Sequence, residues 1–144
     1  MPILSLKTGA PKQLQYYLEK EIIMKISTIS IAEYCVRGKL SDLPLKNVQI
    51  VPFNLDHAQR AGQFARVLFA ARKATDKRLH PRAIIPNDSK LFAQASLDPL
   101  ITHFVTSDRR SMNALAQLAK HVAPGFDIID IKIPYHKTYG LLDL

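Results

Sequence analysis

Phe104-Val105-Thr106-Ser107-Asp108-Arg109-Arg110 passes from an apolar, β-branched run into a charged one through Thr-Ser-Asp. The apolar half predicts a buried strand over His103 to Thr106. The following residues place Met112, Leu115, Ala116 and Ala119 on one face of a helix over Arg109 to Val122. The same handover recurs upstream. Met24 to Ile29 predicts a strand, followed by a short helix from Ser30 to Gly38, inside Ser-Thr-Ile-Ser-Ile-Ala-Glu33. Ile-Pro-Asn-Asp88-Ser-Lys-Leu opens a helix over Asn87 to Leu97. Strands alternating with helices imply an α/β domain with a mainly parallel central sheet of about four strands and helices on both faces. Each junction carries one acid, Glu33, Asp88 or Asp108. In an open parallel sheet such junctions gather at the carboxyl ends of the strands, where ligands bind.

Working outward, Val48 to Phe53 predicts a second strand, interrupted by Pro52, and Phe126 to Ile131 the last one. Asn54 opens the longest helix, to about Ala74, with Ala58, Ala61, Phe64, Ala65, Leu68 and Ala71 on one stripe. Pro11 suits the first turn of a helix running to about Ile22. Residues 2–6 are apolar but short. Residues 75–86 form a basic loop, and Pro134 to Leu144 an extended tail. There is no internal repeat, low-complexity stretch or linker, so residues 1–144 are expected to form one domain.

Composition excludes several classes. A hydrophobic share of 47% argues against disorder. No apolar run reaches the roughly 20 residues of a membrane helix, and Met1 is not followed by a signal-peptide pattern. The single cysteine, Cys35, has no partner for an internal disulfide, which fits a reducing, cytoplasmic compartment. His57, His80, His103, His121 and His136 make no zinc spacing. No Gly-x-Ser-x-Gly or glycine-rich phosphate loop occurs. Lys and Arg total 20 against 12 for Asp and Glu, a net charge of +8, which directs attention to phosphate backbones or an acidic protein partner.

Three carboxylates at one end of a sheet repel one another unless a cation joins them, and hard oxygen ligands suit Mg²⁺ or Mn²⁺. Each acid also has a structural reading. Ser30-Ile31-Ala32-Glu33 fits a capping box; Asp88 would stabilise a helix N-terminus through the macrodipole; Asp108 would accept turn hydrogen bonds. Thr106 and Ser107 would orient Asp108 or make ordinary turn bonds. Asn87 reads as a helix cap. Arg109 and Arg110, beside Asp108, would contact phosphates or form a solvated charged surface. The basic loop, with Lys77, Arg78 and Arg82, would guide a phosphate backbone toward the acids or form a solvated charged surface.

The stretches Ile26–Tyr34, Asn87–Ala95 and Phe104–Asp108, in that order, resemble the PIN domain family, in particular its VapC-type toxins. The tail Gly140-Leu141-Leu142-Asp143-Leu144 is similar to tails in some members. The resemblance implies a three-layer sandwich and a metal-dependent endoribonuclease that hydrolyses RNA phosphodiesters. It gives Glu33, Asp88 and Asp108 catalytic roles. Asp88 and Asp108 would be the direct Mg²⁺ or Mn²⁺ ligands, and Glu33 would bind the ion or orient its water. It also implies an inhibitory protein antitoxin and a homodimer. The N-terminus departs from the pattern. PIN domains begin with an apolar strand ending in an aspartate, whereas Met1-Pro2-Ile3-Leu4-Ser5-Leu6-Lys7-Thr8-Gly9 has no acid, and Leu4 to Gly9 resembles the end of the family's first helix. The first strand and its aspartate are therefore expected to be missing, with residues 1–8 standing in for the strand in part. A catalytically degenerate binding module of the same fold is the alternative function, and a structural homodimer a third.

Overall fold

The computed structural model of the chain describes residues 2–4, 22–43, 45–73, 87–106 and 108–130. Five strands form one sheet: β1 (Pro2–Leu4), β2 (Met24–Ser27), β3 (Val48–Val51), β4 (His103–Thr106) and β5 (Asp127–Asp130). Among the described residues, four helices accompany them: α1 (Thr28–Cys35), α2 (Leu55–Lys73), α3 (Asn87–Leu97) and α4 (Arg109–Ala119). Two 3₁₀ turns, Leu40–Asp42 and Leu45–Asn47, lead into β3. The strand order is β3-β2-β1-β4-β5, and every pairing is parallel. The architecture is thus mixed α/β, as the alternation of patterns predicts. Among the described residues, no helix is long and apolar enough to cross a membrane.

The main correction concerns the N-terminus. The first strand is present, and it lies at the centre of the sheet. Ile3 sits between Lys25 of β2 and Phe104 of β4, and Leu4 between Ile26 and Val105. Leu4 therefore belongs to a strand and not to a helix end, and the sheet has five members where four were expected. A central parallel strand reads as a short apolar run without alternation, and Pro2–Leu4 is too short to show any period. The segment offered as a partial replacement occupies the central position itself. The residues that follow β1 in sequence, Ser5-Leu6-Lys7, still carry no acid. The predicted helix from Pro11, the basic loop of 75–86 and the C-terminal tail lie outside the described residues.

Side chains alternate across a strand, so neighbours on β4 face opposite ways. Phe104 joins a core with Phe64 and Leu68 of α2, Leu91 and Phe92 of α3, and Leu115 and Leu118 of α4. Val105 joins a second core with Met24, Ile26, Val48 and Ile129, against which Ile31 of α1 and the turn residues Leu43 and Leu45 pack. The sheet is therefore buried on both faces at its middle, which holds its strand ends in fixed relation. Helix α4 corrects the expected inner face. Ser111, Leu115 and Leu118 are its buried residues, whereas Ala116 and Ala119 are exposed.

One ion pair ties the start of β2 to the end of α3. The Lys25 ammonium hydrogen-bonds the Asp98 carboxylate, with side chains only 12% and 26% exposed. Burial alone would raise the Asp98 pKa, but hydrogen bonds from Lys25 and from the Leu100 amide, with the Lys25 charge, hold it below the usual carboxylate range. A folded-state pKa below the unfolded one contributes stability that is present above the unfolded pKa and lost as pH falls through the folded value. Asp98→Asn leaves the lysine without its counter-charge and is expected to cost about 1–3 kcal/mol at neutral pH. Urea unfolding should show that loss at pH 7 and progressively less of it as pH falls through the lowered folded-state pKa of Asp98, where the wild-type carboxyl becomes protonated as well.

Candidate metal and nucleic-acid site

The chain runs β1, β2, β3 toward one edge of the sheet and returns through β4 and β5 to the other, so the order reverses between β1 and β4. At such a reversal the connections leave the carboxyl ends of adjacent strands in opposite directions and open a crevice. Helix α4 leaves β4 beside it, and α1 leaves β2, on the far side of β1.

Helix α1 begins earlier than the sequence predicts. Ser27, fully buried at the end of β2, is its N-cap, and its Oγ accepts from the Ile29 amide at 3.0 Å. Ser30 is buried inside the helix, so the capping box from Ser30 to Glu33 does not form. Glu33 is released from that structural role. Its Oε1 instead accepts from Asn87 Nδ2 of α3 at 2.6 Å. Asn87 correspondingly uses its side chain outside its own helix backbone: the amide nitrogen holds Glu33, and Oδ1 accepts from Lys90 Nζ at 3.4 Å.

Asp88 stands in the first turn of α3, where the helix dipole favours a carboxylate. It is also held from another element: its Oδ1 accepts from Ser111 Oγ of α4 at 2.7 Å. Asp108 is the N-cap of α4, and its Oδ1 accepts from the Arg110 amide at 2.9 Å. Thr106, fully buried, fixes the approach to that cap, with Oγ1 accepting from the Asp108 amide at 3.1 Å. The turn bond expected of Thr106 is thus the bond that orients Asp108. Ser107 lies outside the described residues. Arg109 and Arg110 are exposed in the first turn of α4, a position where the helix dipole disfavours cations.

The acids are thereby connected in series, Glu33 to Asn87-Asp88, and Asp88 to Ser111, one turn along α4 from Asp108. All three are partly buried. Among the described residues, no hydrogen bond or ion pair engages the second carboxylate oxygen of Glu33 or of Asp88. Nor, among them, is any group of three or more acid, histidine or cysteine side chains placed to hold a metal ion. Mg²⁺ commonly keeps several waters and binds through one or two carboxylates plus substrate phosphates.

Sequence reasoning missed the two donors. Ser111 left a signal: a polar residue on the buried stripe of an amphipathic helix needs a partner. Asn87 left none, since its partner lies 54 positions away.

Elsewhere, Asn54 and His57 cap the start of α2 reciprocally. The Asn54 amide donates to His57 Nδ1 at 3.1 Å, and the His57 amide to Asn54 Oδ1 at 3.3 Å. Burial lowers the pKa of His57, against the opposing Pro52 carbonyl and Asp56, and burial likewise lowers that of His103. Neither imidazole adds to the basic charge at neutral pH. A cleft of about 690 Å³ opens at the opposite end of the sheet, where β4 and β5 begin, lined mainly by apolar residues such as Met112, Leu115, Phe126 and Ile128. It contains none of the three acids.

Compared with models of known protein families and with curated proteins, the chain matches none.

Proposed function

We propose that the chain is a metal-dependent endoribonuclease of the PIN kind, which hydrolyses RNA phosphodiesters with Mg²⁺ or Mn²⁺ in a three-layer PIN-like fold. The observation that carries this reading is the chain of hydrogen bonds linking Glu33 through Asn87 and Asp88 to Ser111, one turn along α4 from Asp108. The strand order and the early start of α1 support it as well, the latter because it leaves Glu33 without the capping role that would explain it otherwise.

Asp88 and Asp108 would hold the ion, and Glu33 would complete its ligands or orient a water. A bound divalent ion supplies a water of lowered pKa and screens the charge of the phosphate. The protein's own part is to fix the carboxylates and to bring RNA to them. Arg109 and Arg110, exposed beside Asp108, suit contacts to the phosphate backbone, and the net charge of +8 adds long-range attraction. The same charge suits an acidic inhibitory partner.

A second reading, a binding module without turnover, is favoured by the sequence after β1, where Ser5 stands in place of an acid. One assay separates the two. Single-stranded RNA incubated with the chain should be cut in millimolar Mn²⁺ and left whole in EDTA. RNA retained by the protein yet intact at every Mn²⁺ concentration would replace the nuclease by the binding module.

A further inference from the structure

The two edges of the sheet are built differently. Among the described residues, β3 and β5 stand at its two ends. An edge strand presents unpaired amides and carbonyls along its outer side, and natural folds commonly blunt such an edge with charge. β5 is blunted in this way, with a carboxylate at each end, Asp127 and Asp130. β3, Val48-Gln49-Ile50-Val51, carries no charge. Ile50 pairs in register with Ile26, so it lies on the face of the second core, yet it is 50% exposed. That core therefore runs out to the edge and ends in an open apolar side chain. Leu40, in the turn region before β3, is exposed as well. The strand is anchored on both sides of this opening: β2 pairs with it throughout, and the Val51 carbonyl accepts from Gln94 Nε2 of α3 at 3.2 Å. Pro52 follows directly and lacks an amide hydrogen, so the edge on offer ends at Val51.

The charges beside the strand decide the occupant. The connection that leads from α1 into β3 exposes Arg37, Lys39 and Lys46 against a single carboxylate, Asp42. A second copy of the chain, itself at +8, would set like charge against like. Nucleic acid would find neither a cation nor an aromatic ring on the strand itself. We propose that the outer edge of β3 is a docking site for an extended, acidic peptide segment of a partner protein, which joins the sheet as a further strand. Main-chain hydrogen bonds to β3 hold the segment, an apolar side chain covers Ile50, and its carboxylates meet the cations at the start of the strand. The inference stands apart from the nuclease reading and uses none of its residues.

The test uses the full chain and a fluorescein-labelled peptide of alternating valine and threonine flanked by aspartates. Fluorescence anisotropy should show binding that weakens with added salt. Amide hydrogen exchange of the wild type should slow within Val48–Val51 and not within Asp127–Asp130. Ile50→Asp places a carboxylate on the edge at a half-exposed position and should weaken binding by about 10-fold or more, as should exchange of the peptide's aspartates for lysines. The exchange pattern of the wild type decides by itself if that variant does not fold. Absence of binding, protection at β5 in place of β3, unchanged affinity in folded Ile50→Asp, or equal binding of the lysine-flanked peptide would overturn the proposal. So would self-association that protects β3 without peptide, which assigns the edge to a second copy, or the same protection by oligouridylate, which assigns it to RNA.

Discussion

Phe104→Ala is expected to remove about 3–5 kcal/mol of stability. Phe104 is fully buried on β4, edge-to-face with Phe92 of α3 at 5.1 Å between ring centroids, and 5.9 Å from Phe126. This trio joins the sheet to the helix that carries Asp88. Alanine leaves a void between two rings that other side chains hold in place, so the site cannot simply collapse around it. A domain of this size has roughly 5–15 kcal/mol in total, so the variant should melt roughly 10–20 °C lower. The site should suffer with the core, because Thr106, two positions along the same strand, fixes the amide of Asp108. A loss under about 1 kcal/mol in urea unfolding would mean that the aromatic trio is not where the fold is held.

The second large effect is catalytic and separates charge from capping at Asp108. Asparagine caps a helix about as well as aspartate, so Asp108→Asn should keep the hydrogen bond to the Arg110 amide and the wild-type melting temperature. It removes the negative charge, and a direct ligand should matter more than an outer partner. RNA cleavage in Mn²⁺ should fall by more than about 100-fold, and so should the metal-dependent rise in melting temperature. Asp108→Ala should lose the same activity and a further 0.5–2 kcal/mol or so of stability, because the cap goes too. If Asp108→Asn cleaves as the wild type does, Asp108 is a cap and nothing more.

The two variants address the parts of the molecule that sequence patterns reveal best. Asn87–Leu97 and His103–Thr106 were legible to the residue, because each begins or ends on a polar residue beside a strongly apolar run. Asp88 and Asp108 stand at helix starts as their patterns predict, whereas Glu33, expected at a junction, lies inside α1. The start of α1 was not legible. Ser27, Thr28 and Ser30 are all able to cap, and only burial decides in favour of Ser27. That choice moved Glu33 from a helix-capping role to a tertiary contact. The inner face of α4 was misjudged because alanine gains little from burial, so a stripe counted on Ala116 and Ala119 does not fix the rotation of the helix. Leu118 does, and Ser111 follows it inward. β1 escaped notice because a three-residue strand has no period, although it lies at the centre of the sheet between β2 and β4. The donors escaped for another reason. Ser111 and Asp88 stand 23 positions apart, and such a contact is written in the packing of two helices and not in either one.

The account stands on one spatial claim, that Glu33, Asp88 and Asp108 serve one cation at the carboxyl ends of β2 and β4. Crystals of the chain soaked in Mn²⁺ and measured for anomalous scattering test it most directly. The account predicts one strong peak in the crevice, within ligand distance of at least two of these carboxylates and completed by waters, about 2.0–2.3 Å from each oxygen. A peak elsewhere on the molecule, or a clear crevice at saturating Mn²⁺, would contradict it.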